Sequence, residues 1–316
     1  MKSFAGKIAV VTGGGSGMGR ELALQLVAMG CDVAICDVFP ETMAETKRLC
    51  LAQAPQGTRV ATFVADVSIE DQALAFAEAV THDLDTDHIH LLFNNAGIGG
   101  GGGFVDGSRA EWEKTFSVCW YGVYYCTRAF LPLLRNANEG HIVNTSSVNG
   151  FWASLGSGRP HTAYCAAKFA VKGFTEALIT DLSLNAPHIK CSVVMPGHIG
   201  TDIPTNSRKI LKGSETAIDI SAARRLFAAQ GEDVAGDSDD QTRARVGEVD
   251  KRFREGAPTT AAEAATIILD GVKAEKWRIL VGKDAEFLDD RVRAVPEEAY
   301  SPEFYEAFRS GGGWRL

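Results

Sequence analysis

No stretch of this 316-residue chain comes near the ~20 consecutive apolar residues that a helix needs to span a bilayer. The opening Met-Lys-Ser-Phe-Ala-Gly-Lys leads into an apolar run too short for the core of a signal peptide, so a cytoplasmic location with no membrane partner is expected. Basic charge is also scarce. Lys and Arg number 32 against 40 Asp and Glu, a net charge of −8, and the clustered cations that bind nucleic acid by counterion release are missing. The seven cysteines are scattered, odd in number and without a Cys-x-x-Cys pair, which speaks against a disulfide frame or a zinc site and for reduced thiols. No metal is expected. Without a sharp break in composition or a repeat beyond a recurring strand-helix unit, the chain reads as one domain, and 45% hydrophobic residues are ample for its core.

What is present begins close to the N-terminus. Ile8 to Val11 is a short β-branched run that stops at Thr12-Gly-Gly-Gly-Ser-Gly-Met-Gly19, after which Glu21 to Met29 has helical periodicity. Strand, glycine turn and helix aim free backbone N–H groups at an anion, and Gly13, Gly17 and Gly19 let the backbone approach a pyrophosphate with no Cβ in the way. Ser16 and Met18 lie in the same turn. A second strand, Asp32 to Cys36, delivers Asp37 eighteen positions after Gly19. A carboxylate there accepts hydrogen bonds from an adenosine ribose diol and repels a 2′-phosphate, and neither Ser16 nor Val38 offers a compensating positive charge. The cofactor expected is NAD rather than NADP.

Two more strands, Arg59 to Ala65 and Ile89 to Phe93, end at Asp66-Val67 and at Asn94-Asn95-Ala96-Gly97. Ligands collect beyond the carboxyl ends of parallel strands, which makes Asp66, Val67, Asn95 and Gly97 candidates for adenine and ribose contacts. The capping-box spacing Ser108-Arg-Ala-Glu111 starts a helix expected to stop near Pro132. Strand His141 to Thr145 delivers Ser146 and Ser147, and strand Ile189 to Met195 leads into the turn Pro196-Gly-His-Ile-Gly-Thr201. Between them Tyr164 and Lys168 stand four apart at the start of a long helix, just over one turn, so that both side chains share a face. An ammonium beside a phenol favours phenolate and brings a pKa of ~10 toward the range of general acid/base work.

Taken in order, Thr12-Gly-x-x-x-Gly-x-Gly19, Asn94-Asn-Ala-Gly97, Ser147, Tyr164-x-x-x-Lys168 and Pro196-Gly197 with Thr201 resemble the short-chain dehydrogenase/reductase family, from about Lys7 to Gly282. The resemblance implies an α/β fold with a doubly wound parallel sheet of about seven strands, helices on both faces, and a homodimer or homotetramer. It implies that Tyr164 is the acid/base, that Lys168 lowers its pKa and holds the nicotinamide ribose, and that Ser147 rather than Ser146 orients the substrate oxygen. By the same likeness a backbone group at Ile199 meets the carboxamide, and Thr201 a phosphate or the amide. The chain departs from the pattern at Val118-Cys119-Trp120-Tyr121-Gly122, where the family carries Val-Asn-x-x-Gly, so a thiol replaces an amide in a proton relay. Cys119 is expected to alter the relay without abolishing it, either as a packed residue or as a reactive thiol.

The gap from Ser147 to Tyr164 is longer than the family habit, and Phe151 and Trp152 in it are expected to wall a pocket for a bulky apolar substrate or to touch another subunit. Residues 203–258 are expected to form a long substrate lid with two helices, Glu215 to Gln230 and Gln241 to Arg254. His198 reads as a loop residue before it reads as a base. The aromatic tail, 282–316, is expected to pack on its own or a neighbouring subunit. The function expected is hydride transfer between NAD(H) and a small secondary alcohol or ketone, apolar or ring-bearing. The alternatives are an NADPH-dependent 3-ketoacyl thioester reductase and a non-catalytic NAD sensor.

Overall fold

Every residue of Ile8–Thr12, Leu91–Asn94 and Gly140–Thr145 is buried. Strands covered on both faces belong in the middle of a parallel sheet with helices on either side, and they are found there. The structure, a computed structural model, describes residues 1–156, 159–311 and Trp314. In chain order the strands are β1 (Ile8–Thr12), β2 (Asp32–Asp37), β3 (Val60–Val64), β4 (Leu91–Asn94), β5 (Gly140–Thr145), β6 (Ile189–Pro196), β7 (Ile199–Gly200), β8 (Thr259–Thr260) and β9 (Arg278–Val281). Seven form one sheet of order β3-β2-β1-β4-β5-β6-β9, and β7 pairs with β8 in a separate ribbon. All pairings are parallel. The winding reverses between β1 and β4, and a crevice opens beyond their carboxyl ends.

The first six helices are α1 (Gly17–Ala28), α2 (Pro40–Gln53), α3 (Glu70–Asp83), α4 (Arg109–Phe116), α5 (Gly122–Asn136) and α6 (Thr162–Asn185). After β6 come α7 (Ile203–Lys212), α8 (Ile220–Ala229), α9 (Asp239–Glu255), α10 (Ala261–Lys273), α11 (Lys283–Ala294) and α12 (Pro302–Ser310). Leu22, Leu26 and Met43 of α1 and α2 share one core with Ile268 and Leu269 of α10. Phe76 and Val80 of α3, Phe130 and Leu134 of α5 and Leu182 of α6 build a second core on the opposite face.

Several elements differ from the sequence expectation. α5 runs through Pro132 to Asn136. The proline removes one N–H, but Phe130 and Leu134 on either side are fully buried, and their anchoring outweighs the lost bond. Between α4 and α5 a π turn, Ser117–Tyr121, carries Cys119. Residues 203–258 hold three helices instead of two; α7, the additional one, has Pro204 in its first turn, where a missing N–H costs little, and ends at Gly213 with φ +77°. The aromatic tail folds back on its own chain. Phe304, Phe308 and Trp314 form a third core with Trp152, whose indole Nε1 donates to Ala299 O at 2.6 Å. Trp152 is therefore absent from the wall of the cavity that holds Tyr164 and lines a neighbouring groove instead, and Phe151 lies under the Arg278 guanidinium, 5.6 Å from its ring centre. Residues 157–158 of the preceding loop and 312–313 and 315–316 of the tail lie outside the described residues.

Candidate active site

The crevice starts at the glycine turn. Gly13 has φ +67°, and a Cβ added there would meet Ala96 Cα at 2.8 Å; one added to Gly19 would meet the Gly13 carbonyl oxygen at 2.1 Å. Close approach of chain to chain fixes both residues as glycine. Thr12 Oγ1 accepts from the N–H groups of Asn95 and Ala96, both at 3.0 Å, and Asn95 Nδ2 donates to Thr12 O at 3.1 Å, which ties the ends of β1 and β4 together. Asn95 Oδ1 stays buried without a partner. Gly13, Ser16, Gly17 and Met18 form one wall of the crevice. Asp37, Asp66, Val67, Asn95, Gly97 and Thr201 continue it, whereas Gly19 is packed inside α1 and does not line it. Asn94 points the other way, donating to Thr127 and Asn144 beneath the crevice.

Asp37 stands at one end of this crevice. Its Oδ2 accepts from Gly15 N at 3.0 Å and its Oδ1 from Val38 N and Phe39 N at 2.8 and 3.2 Å; burial nonetheless pushes its pKa up. Among the described residues no Lys or Arg lines the crevice, and Lys209 approaches it only from behind Phe39, its Nζ 4.2 Å from that ring's centre. The nearby guanidinium of Arg20 is committed to Gly15 O, Thr42 O and Thr46 Oγ1. Burial also acts against ionised Asp66, but hydrogen bonds from Lys114 and Ser68 hold its carboxyl below the ordinary range. A dinucleotide fits these residues: bare glycine backbone for its phosphates, an unpartnered amide oxygen midway, and a carboxylate for a sugar diol.

A second cavity of about 360 Å³ adjoins the crevice, and Met18, Asn95, Gly97, Thr201 and Ile203 line both. Ser147, Tyr164 and Lys168 meet here, with Ile199 in the wall. Ser146 also lines the cavity, but its hydroxyl donates to Lys168 O at 2.7 Å. Ser147 Oγ accepts from Asn149 N at 3.1 Å. Lys168, buried at the foot of α6, donates to Thr145 O at 2.8 Å and places Nζ 5.4 Å from the centre of the Tyr164 ring. Here one expectation needs correcting. Burial raises the Tyr164 pKa above that of an ordinary phenol, with Cys119 adding to the rise and a hydrogen bond with Ser147 opposing it, and burial likewise lowers Lys168. With protein groups alone, desolvation is the largest influence on both groups. Cys119 is fully buried and its thiol donates to Ile98 O at 3.2 Å, the arrangement of a packed residue.

Sequence reasoning missed much of the cavity wall. Leu155, Arg159 and His161 are the residues of the lengthened loop that reach it. The His161 ring stacks on Tyr164 at 4.6 Å between centres and 28° between planes, and burial pushes its pKa down to about 4, so it is neutral near pH 7. His198 Nε2 donates to Phe253 O at 2.7 Å, a strut between the turn after β6 and α9. Buried Asp284, in the first turn of α11, accepts at Oδ2 from His198 N and from Trp314 Nε1, both at 2.7 Å. No sequence signal marks that carboxylate; its partners lie 86 and 30 positions away.

A family profile described as short chain dehydrogenase matches residues 7–211. The oxidoreductase SadH of Mycobacterium tuberculosis is 36% identical over 295 residues, 93% of each chain. Among solved structures, a short chain dehydrogenase/reductase from Burkholderia phymatum in complex with NAD superposes with a TM-score of 0.76 at 27% identity, over 96% of this chain and 98% of that one. A metagenomic short-chain oxidoreductase in complex with NADP is 30% identical, with a TM-score of 0.54 over 61% of this chain and 83% of its own. The described residues contain no helix long and apolar enough to cross a membrane and no cluster of metal-ligating side chains.

Proposed function

This chain belongs to the short-chain dehydrogenase family, and from that premise we propose that it transfers a hydride between NAD(H) and a small secondary alcohol or ketone with an apolar or ring-bearing body. The observation that carries the reading is the meeting of Ser147, Tyr164 and Lys168 in a cavity that shares its wall with a dinucleotide-shaped crevice. When bound, NAD supplies the hydride acceptor and a positively charged ring beside the phenol. Tyr164 takes the hydroxyl proton during oxidation and returns one to the ketone oxygen during reduction. Ser147 donates to the same oxygen, where charge develops, an interaction of roughly 3 kcal/mol in comparable sites. Lys168 steadies the phenolate and holds the ribose, and His161 keeps the Tyr164 ring in its plane and water off its face. Oxidation therefore rises with pH as Tyr164 loses its proton, and reduction falls.

NAD is favoured over NADP because Asp37 would face a 2′-phosphate in a crevice that no cation among the described residues lines. Helices α7 to α9 serve as the substrate lid, a reading supported by Ile203, Pro204 and Phe253 in the cavity wall. A homodimer or homotetramer in the cytoplasm is supported by the half-exposed Tyr121, next to Trp120 in a cluster with Tyr124 and Phe174, by half-exposed Phe169, and by seven buried free thiols. The test is Tyr164→Phe in a screen of secondary alcohols at alkaline pH, followed by NADH absorbance. Turnover should vanish while NAD binding by calorimetry is kept; undiminished turnover rules the mechanism out.

A further inference from the structure

The active-site cavity is lined by no Asp or Glu, although the chain carries a net charge of −8. Among the described residues two cations do line it. Lys168 is explained by Tyr164 and Thr145; Arg159 has no such explanation. It stands where the cavity meets a second groove, walled by Gln230, Tyr300 and Tyr305 and by Glu232 and Glu306, whose carboxylates pair with Arg245 and Arg309, and it takes no part in the dinucleotide crevice. The cofactor phosphates are thus no counter-ion for it.

Gln230, at the C-terminal end of α8, holds the guanidinium in place. Its amide oxygen accepts from Nη2 and Nε of Arg159 at 2.9 and 2.8 Å. A neutral amide orients the charge without cancelling it. Among the described residues Arg159 forms no ion pair, and burial holds its pKa below the usual arginine value, with Tyr305 opposing that shift and the like charge of Arg252 adding to it. A half-buried cation without a counter-ion is costly to keep, and a cavity that keeps one is prepared for an anion.

We propose that the substrate is a hydroxy or oxo acid whose carboxylate is bound by Arg159, with its apolar body lying between that end and the reacting carbon at Tyr164. The inference deepens the dehydrogenase reading and rests on it for the reacting end alone. A guanidinium offers a planar fork that matches a planar carboxylate. With Nη2 and Nε engaged by Gln230, the Nη1–Nη2 edge stays free for a two-point contact with a carboxylate. Leu155, Pro204, Phe253 and Trp314 supply the apolar wall between the two ends.

Binding is tested without turnover. Calorimetric titration of the NAD-loaded full chain with 2-naphthoate and with 2-naphthamide should show the acid bound roughly ten- to hundredfold tighter, and that ratio should collapse in Arg159→Gln and recover in part in Arg159→Lys. Equal affinity for acid and amide in the wild type, as expected if an acid of the chain itself neutralises Arg159, overturns the proposal. So does a ratio that survives in Arg159→Gln, provided the melting temperature shows that the variant is folded. Should Arg159→Gln fail to fold, Gln230→Leu replaces it as the test: loss of the orienting amide should cut the acid-to-amide ratio at least threefold, and an unchanged ratio counts against the assignment. A carboxylate preference in a protein that turns over no alcohol would sink the dehydrogenase reading and leave this one standing.

Discussion

Replacing Asp284 should reach the substrate pocket through the protein's own framework. Its Oδ2 accepts two buried N–H groups, from the backbone of His198 and the indole of Trp314, while Oδ1 has no partner. In Asp284→Ala both donors are stranded, at about 1–3 kcal/mol each, offset in part because a buried carboxylate with one unsatisfied oxygen is removed as well. The net loss should be ~2–4 kcal/mol. Asp284→Asn keeps an oxygen at the junction and should lose less than ~1.5 kcal/mol. Urea denaturation, with midpoint and slope both fitted, measures these losses. Trp314→Phe removes one donor, so adding it to Asp284→Ala should cost less than it does alone, a coupling of ~1 kcal/mol. Because Trp314 and His198 line the cavity, Asp284→Ala should also raise KM for the substrate. A loss under ~1 kcal/mol in Asp284→Ala, or an Asn variant as damaged as the Ala variant, would refute the account.

Three further outcomes are expected. His90, His141 and His161 have pKa values pushed down to about 4, chiefly by burial, so the unfolded chain binds protons first as pH falls; stability should be full above ~6.5 and decline by a few kcal/mol toward pH ~4, visible as a falling urea midpoint, and a flat midpoint over that window would contradict the burial argument. Cys119→Asn restores the amide of the family pattern and should keep or raise turnover; a loss beyond ~10-fold in steady-state assays would show that the thiol does chemistry of its own. Asp37→Ser removes the carboxylate beside Gly15 and should shift the NADH-to-NADPH ratio of kcat/KM toward NADPH by at least ~10-fold, and an unchanged ratio would take Asp37 out of cofactor choice.

The nucleotide crevice was legible because its constraints act within one strand-turn-helix unit. A glycine is forced at Gly19 by the Gly13 carbonyl oxygen of the same turn, and that turn can be recognised from its neighbours alone. Tyr164 and Lys168 were legible for the same reason, since helical spacing puts them on one face. The electrostatic consequence was not legible. Whether an ammonium lowers a phenol depends on how much water each group keeps, and here Lys168 is buried and Tyr164 partly so. The lengthened loop misled for a different reason: Trp152 has the composition of a pocket wall, but its indole is claimed by Ala299 and the aromatic tail 147 positions on.

The Pro196-Gly197 turn joins the two cases. Its glycine stands in the sequence as part of a family pattern, with no physical reason attached. In the structure a Cβ at Gly197 would lie 2.2 Å from Asp284 Oδ2, so the glycine is there because a carboxylate from α11 occupies its side-chain space. That carboxylate holds both the backbone of the nicotinamide-side turn and the indole of Trp314. The family motif and the aromatic tail are therefore one mechanical unit, through which the tail can shape substrate choice without disturbing Ser147, Tyr164 or Lys168. The wall that faces the substrate comes from that unit, from Arg159 and His161 of the lengthened loop, and from α7 and α9. Each of these is positioned by contacts distant in sequence, which is why the family could be read from local spacing and the cavity wall could not.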